Sequence, residues 1–339
     1  MRLQALFVGA LTASVEAATL HRGKCSIRTA RVPWRTLTAP EKSAYIQADL
    51  CLMSLPAQAI DSDVVSTRWD ELQYSHAAQV DYIHEVGAFL PWHRYFVTIH
   101  EQLIQTECNY TGPTPYWDEP FDAGNLTASI MFDPEVETSF GGNGTGPNSC
   151  VQDGPFANTT LHIQDDLSYA ETCLRRIFDD EQFSGGAQSA VDACMAKETF
   201  IDFWHCIERG PHSAGHGGVA GTMISVSVSP GDPIFWLHHT YLDKLFWDWQ
   251  SQNLTTRLTE IGGSNLQDLS AGEGSLPGGG KGDLIGQTSD PDPRFVDYFN
   301  DGGNTTTLNH TLWSAGIVAN ATIADVMDAR GDYVCAEYS

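Results

Sequence analysis

The chain is poor in positive charge. Lys and Arg together number 18 against 43 Asp and Glu, a formal net charge of -25 over 339 residues. Binding to nucleic acid or to an anionic membrane surface needs basic patches, so both are excluded as partners. No stretch after the first residues reaches the apolar length of a membrane span, so no membrane-crossing helix is expected. No repeat of 20 to 50 residues and no heptad array is visible, so neither a solenoid nor a coiled coil is expected. No cysteine lies between Cys51 and Cys108.

Eight cysteines are present, at 25, 51, 108, 150, 173, 194, 206 and 335. The number is even, but sequence alone does not choose among roughly a hundred pairings. The opening MRLQALFVGALTASVEAA carries Arg2, an apolar run from Leu6 to Leu11 and small residues at Ala17 and Ala18. That is the layout of a secretory leader, predicted over 1–18, with one domain following over 19–339. Asn-x-Ser/Thr sequons begin at Asn109, Asn125, Asn143, Asn158, Asn253, Asn304, Asn309 and Asn320. Behind a leader they predict a secreted, disulfide-bonded glycoprotein.

The patterning predicts a mainly α chain. Residues 19–38 read as an irregular arm anchored by Cys25 and Trp34. Pro40 opens an amphipathic helix through Met53, and helices are expected over 66–87, 92–107 and about 234–250. Helical patterning also covers 160–210. Two Gly- and Pro-rich stretches, 109–159 and 261–294, read as loops.

Histidines carry the chemistry. The stretch HEVGAFLPWHRYFVTIHE places His84 and His93 nine apart around Pro91, which predicts a helix break that turns both rings to one point. His76 precedes them. Farther on, PHSAGHGG puts His212 and His216 at i, i+4 on one helix face, and SPGDPIFWLHHTYLDKLFWDW brings His239 on a later helix. Two sets of three neutral imidazoles suit copper, zinc, iron or nickel. His238, next to His239, should point elsewhere.

At these residues the chain resembles the type-3 copper proteins, the tyrosinases, catechol oxidases and molluscan hemocyanins. His84, Phe89, Trp92-His93-Arg94 and Glu101 match one signature of that family, and Asp232-Pro233, Phe235, His239 and Asp243 match the other. The resemblance implies a four-helix bundle around a dinuclear metal site with long irregular loops. It implies two copper ions, one on His76, His84 and His93 and one on His212, His216 and His239. Dioxygen and a small phenol are the implied partners, and oxidation of o-diphenols to o-quinones the implied reaction, with monophenol hydroxylation left open. Glu208 falls where relatives orient a water near the second metal, and such a pair could receive the proton of a phenol, whose pKa is about 10. Asp243 is expected to hydrogen-bond a ligand or helix element behind the site. Ser213 stands where strongly monophenol-active relatives often have Asn, and Val226, thirteen before His239, stands at a gate that is Phe in many plant enzymes. The chain reads as ending where the core ends, without the shielding domain of longer relatives, so no proteolytic activation is expected. Two alternatives stay open on residue chemistry: a zinc-dependent tailoring enzyme on the same scaffold, and an oxygen carrier.

Overall fold

The structure, a computed structural model, describes residues 24–134, 138–267 and 303–339. The leader at 1–18 and most of the stretch 261–294 lie outside the described residues.

Helix α1 (Ala39–Ser54) starts where Pro40 predicts, with Pro40 in its first turn and the Glu41 carboxylate accepting from the N–H (2.8 Å) and hydroxyl (2.7 Å) of Thr38. Helix α2 (Arg68–Ala77) opens on a reciprocal box. Thr67 Oγ1 accepts from Asp70 N–H and Asp70 Oδ2 from Thr67 N–H, each at 3.0 Å. The single turn α3 (Val80–Ile83) leads to α4 (Phe89–Glu107), whose residues 89 to 104 are all buried. A helix buried on every side stands at a bundle centre. Its partner is α9 (Ile234–Ser251), buried without interruption from Ile234 to Asp243.

Between them, α5 (Asp180–Phe183), α6 (Gln188–Met195), α7 (Phe200–Ile207) and α8 (Ser213–Val219) follow in order. The bundle that frames the histidines is α2, α4, α8 and α9. Phe96 packs on Trp236 at 4.9 Å between ring centroids, and Trp69 of α2 reaches the same Trp236 at 5.9 Å. The mainly helical architecture expected from the sequence is what the chain adopts.

The N-terminal arm is more regular than expected. Thr29–Pro33 forms β1, the central strand of a parallel sheet, between β2 (Thr114–Tyr116) and β7 (Ala336–Tyr338). Arg31 on β1 is fully buried. Its guanidinium meets Glu101 of α4 (3.0 Å), Asp243 of α9 (2.8 Å) and the Tyr338 hydroxyl (2.8 Å).

The helical expectation over 160–210 fails in its first part, which is an antiparallel hairpin, β3 (Thr160–Ile163) and β4 (Tyr169–Cys173). Leu161 and Ile163 are buried while their neighbours are not, the period-2 pattern of a strand. Leu167 turns the chain at φ 61.

All eight cysteines pair, as 25–335, 51–108, 150–173 and 194–206. Every sequon asparagine is exposed. Among the described residues no helix is long and apolar enough to cross a membrane.

Candidate metal centre

His76 sits in the last turn of α2 and His93 in the second turn of α4. His84 lies on no helix. It is extended (φ -126, ψ 146) just after α3, and Glu85 then turns the chain at φ 53. The break expected at Pro91 therefore falls earlier, because Pro91 is the third residue of α4, where its missing N–H costs no helical bond. Gly87 lets this loop pass close to the backbone at Gly262, since a methyl there would strike the Gly262 carbonyl. The three rings converge, with centroids 5.0 to 5.7 Å apart.

His212 ends a π-helical turn (Glu208–His212) that contains Pro211, and His216 lies on α8. A π turn widens the backbone by one residue and is frequent at functional sites. With His239 of α9 these rings form a second trio, centroids 4.5 to 5.4 Å apart. The trios face one another. His93 stacks on His239 at 4.4 Å and 13°, and His84 lies 6.1 Å from His212.

Backbone carbonyls set the ring nitrogens. Nδ1 of His76 meets the carbonyl of Ser227 (2.8 Å), that of His84 Val80 (2.9 Å), and that of His93 Phe89 (2.8 Å). Nδ1 of His212 meets Glu208 (3.1 Å) and that of His216 meets Met223 (2.6 Å). A carbonyl only accepts, so each Nδ1 carries the proton and each Nε2 a lone pair. Nε2 of His76, His93 and His212 is buried with no partner among protein atoms, and Nε2 of His216 and His239 lie 3.2 Å apart. Burial pushes all six imidazoles well down, to about 3 for His84 and His216, so they are neutral at physiological pH. Buried lone pairs without hydrogen-bond donors are costly unless a cation takes them. The donor set thus fits two metal ions, and within each group the ligand atoms lie within 4.8 Å of one another.

The second group has a fourth member. His238 does not turn away as expected. Its ring centroid lies 4.8 Å from His216, 4.9 Å from His239 and 5.7 Å from His212. Its Nδ1 is paired with the buried carboxylate of Glu119. The doubled His238-His239 was a visible signal, but nothing in the sequence tied Glu119 to it.

Glu208 is fully buried, and burial raises its carboxyl well above the usual range. Oε1 accepts from the backbone N–H of Glu85 (2.7 Å), next to His84, and Oε2 from Trp204 Nε1 (2.5 Å). Its own carbonyl accepts from His212 Nδ1 and from the Ser213 hydroxyl (2.8 Å). One residue thereby touches the supports of both trios. Asp243 hydrogen-bonds no histidine. It accepts from Arg94, Arg31 and Tyr338, behind the trios. Val226 is half-buried on the loop between α8 and α9, between the carbonyls of Met223 and Ser227 that hold His216 and His76.

Comparison with known proteins agrees with this geometry. The common central domain of tyrosinase matches residues 66–252. A tyrosinase-like protein, phomQ1, of Diaporthe leptostromiformis is 30% identical, aligned over 93% of this chain and 78% of its own length. The N-acetyl-6-hydroxytryptophan oxidase ivoB of Emericella nidulans is 27% identical over 98% of both chains. A polyphenol oxidase from Thermothelomyces thermophila, solved as a point mutant, superposes with a TM-score of 0.74 at 25% identity, covering 92% of this chain and 89% of its own. On its sequence match, its fold and its paired histidine trios, the chain belongs to the tyrosinase family of type-3 copper proteins.

Proposed function

We propose that this protein is a secreted copper-dependent phenol oxidase that converts o-diphenols to o-quinones with dioxygen. The observation that carries the reading is the pair of facing histidine trios, in which Nε2 of His76, His93 and His212 is buried without a hydrogen-bond partner. His76, His84 and His93 would hold one copper and His212, His216 and His239 the other; the pair, when bound, supplies two-electron chemistry with dioxygen. The comparisons give zinc no support, while the relatives include an oxidase named for a hydroxylated tryptophan. Hydroxylated aromatic small molecules of specialised metabolism are accordingly the substrate class we assign. Four disulfides and eight exposed sequon asparagines support secretion.

Each oxygen of Glu208 accepts one hydrogen bond, from Glu85 N–H and from Trp204 Nε1, and keeps a lone pair that could accept from a water. We assign it to holding that water and to receiving the phenol proton. Ser213 gives its hydroxyl hydrogen to the Glu208 carbonyl, so its contribution is to the shape of the π turn. Val226 would line the entrance. The test is oxygen uptake by copper-loaded glycoprotein with an o-diphenol and the matching monophenol, with metal content measured in parallel. Uptake with the diphenol supports the proposal, and uptake with both adds monophenol hydroxylation. Two bound coppers without uptake from either would sink it in favour of a carrier. In the same assay V226F should raise KM for bulky phenols several-fold more than for catechol; an unchanged substrate range removes Val226 from the entrance.

A further inference from the structure

Two buried ionisable side chains beside the second trio have no part in the reading above. Glu119 opens a 3-10 turn (Glu119–Phe121) and is fully buried, as is its partner His238. The turn is fastened to α9 immediately next to that histidine, because the N–H of Trp117 donates to the Leu237 carbonyl at 3.1 Å. On its other side the His238 ring lies against α8 at Gly215. A methyl at Gly215 would collide with Cε1 and Nδ1 of the ring. The imidazole is therefore wedged between a carboxylate and the backbone of α8, at the level between His212 and His216.

A ring in that place has two possible uses. It can act as the spacer between α8 and α9, the helices that carry the second trio. It can also act as a fourth nitrogen donor, since its Nε2 has no partner among protein atoms and His238 is one of the four histidines that each offer a ring nitrogen within 4.8 Å of the others. The rotation of the ring about Cβ–Cγ decides between them, and Glu119 fixes that rotation by binding Nδ1. The close fit against Gly215 favours the spacer, because a ring that swung toward the trio would leave a void against α8 in an otherwise filled core.

We propose that Glu119 is a positioning residue for the second metal, acting through His238, which it locks as the spacer between α8 and α9 and keeps out of the coordination sphere. This rests on the reading that His212, His216 and His239 hold that metal. Partners of this outer kind typically change metal affinity 10- to 100-fold when lost.

The experiment uses the full copper-loaded chain as wild type, E119A, E119Q and H238F. Copper loss to a copper(I) chelator under reducing conditions is followed in time, and X-ray absorption counts imidazole nitrogens per copper. One of the two coppers should leave E119A about 10- to 100-fold faster than wild type, with the other unchanged. E119Q should restore the wild-type rate, because an amide can meet Nδ1 whether that nitrogen carries a proton or not. H238F should keep both coppers with three nitrogens each, since the phenyl ring fills the same wedge. The proposal is overturned if E119A loses copper at the wild-type rate, or if E119Q loses it as fast as E119A. It is also overturned if folded H238F loses one copper, which would make His238 a ligand. Should E119A not fold, H238F decides. A wild-type protein that binds fewer than two coppers defeats the six-ligand reading itself, and the proposal falls with it.

Discussion

Asp243 shows how a single side chain can serve the centre without touching it. It takes hydrogen bonds from Arg31, Arg94 and Tyr338, each on a different segment; both arginines are fully buried and Tyr338 is half-buried. Removing one partner of a buried ion pair leaves a charge uncompensated, at a cost of about 3–5 kcal/mol. Arg31→Ala should therefore lower unfolding stability by about that amount, while Arg28→Ala, which removes a half-exposed pair with Glu337, should cost less than about 1 kcal/mol. Equal denaturation midpoints for the two variants would refute the central role given to the buried network. The six histidines of the two trios were legible as residue types at fixed spacing. The donors to Asp243 and the acceptors of Arg31 were not, because Arg31 meets groups 70 and 212 positions away, and only the fold brings those together.

The imidazoles also set an acid limit. Eight of them (His76, His84, His93, His212, His216, His238, His239 and His310) are pushed down by burial from an ordinary value near 6.5, to about 3 where resolved. Below pH ~6.5 the unfolded chain binds protons that the folded chain refuses, so stability is present above that pH and is lost as pH falls toward 3. Asp49, Asp81, Asp118, Glu119 and Glu208, raised by burial, act in the opposite sense, with stability gained as pH falls. Eight groups outweigh five. The melting temperature of metal-free protein should drop between pH 6.5 and 4, and a flat profile over that range would show that the imidazoles are not held neutral.

At the scale of elements, the helices read correctly from the sequence are those whose signals are local. Pro40 and Thr38 start α1, and the long apolar run makes α9. The errors arise where a distant contact overrides a local signal. His84 reads as helical by continuity with His76, yet the chain leaves the helix there because the N–H of Glu85 is taken by Glu208 and that of Gly87 by the Ser264 carbonyl at 2.9 Å. Similarly, the hairpin 160–173 is held by its cross-strand pairing and by the 150–173 disulfide, a bridge that sequence alone did not assign. The turn after α8 offers a test of such backbone control. Ala220 and Gly221 both take positive φ, 49 and 58, and a methyl on Gly221 would strike the backbone carbonyl of Arg175. Backbone cannot give way as a side-chain tip can. Gly221→Ala should cost at least 1–3 kcal/mol, and by shifting Met223 it should loosen His216, read as faster copper loss; unchanged stability and copper retention would show that this turn does not position the ligand.

For the molecule as a whole, the disulfides tie the ends of the chain to the core that holds the centre. Cys25–Cys335 joins positions 310 apart, Cys51–Cys108 57, Cys150–Cys173 23 and Cys194–Cys206 12. The chain-entropy account gives about 3 kcal/mol for a loop near 15 residues and nearly 5 for one of about 100, so the bridges should rank by loop length. The terminal bridge has a second consequence, because β1 and β7 are neighbours in the parallel sheet and both contribute to the Arg31, Tyr338 and Asp243 cluster. Replacing both Cys25 and Cys335 by Ser should therefore give the largest loss of stability of the four double replacements, and it should also raise the rate of copper loss, since Asp243 and Arg94 flank His239 and His93 along α9 and α4. Replacing Cys194 and Cys206 should give the smallest loss. A scan of the four variants by thermal melting and by copper release checks both statements together: melting temperatures that ignore loop length would reject the entropic ranking, and a terminal variant that melts early yet holds copper as tightly as wild type would separate the end-to-end sheet from the metal centre.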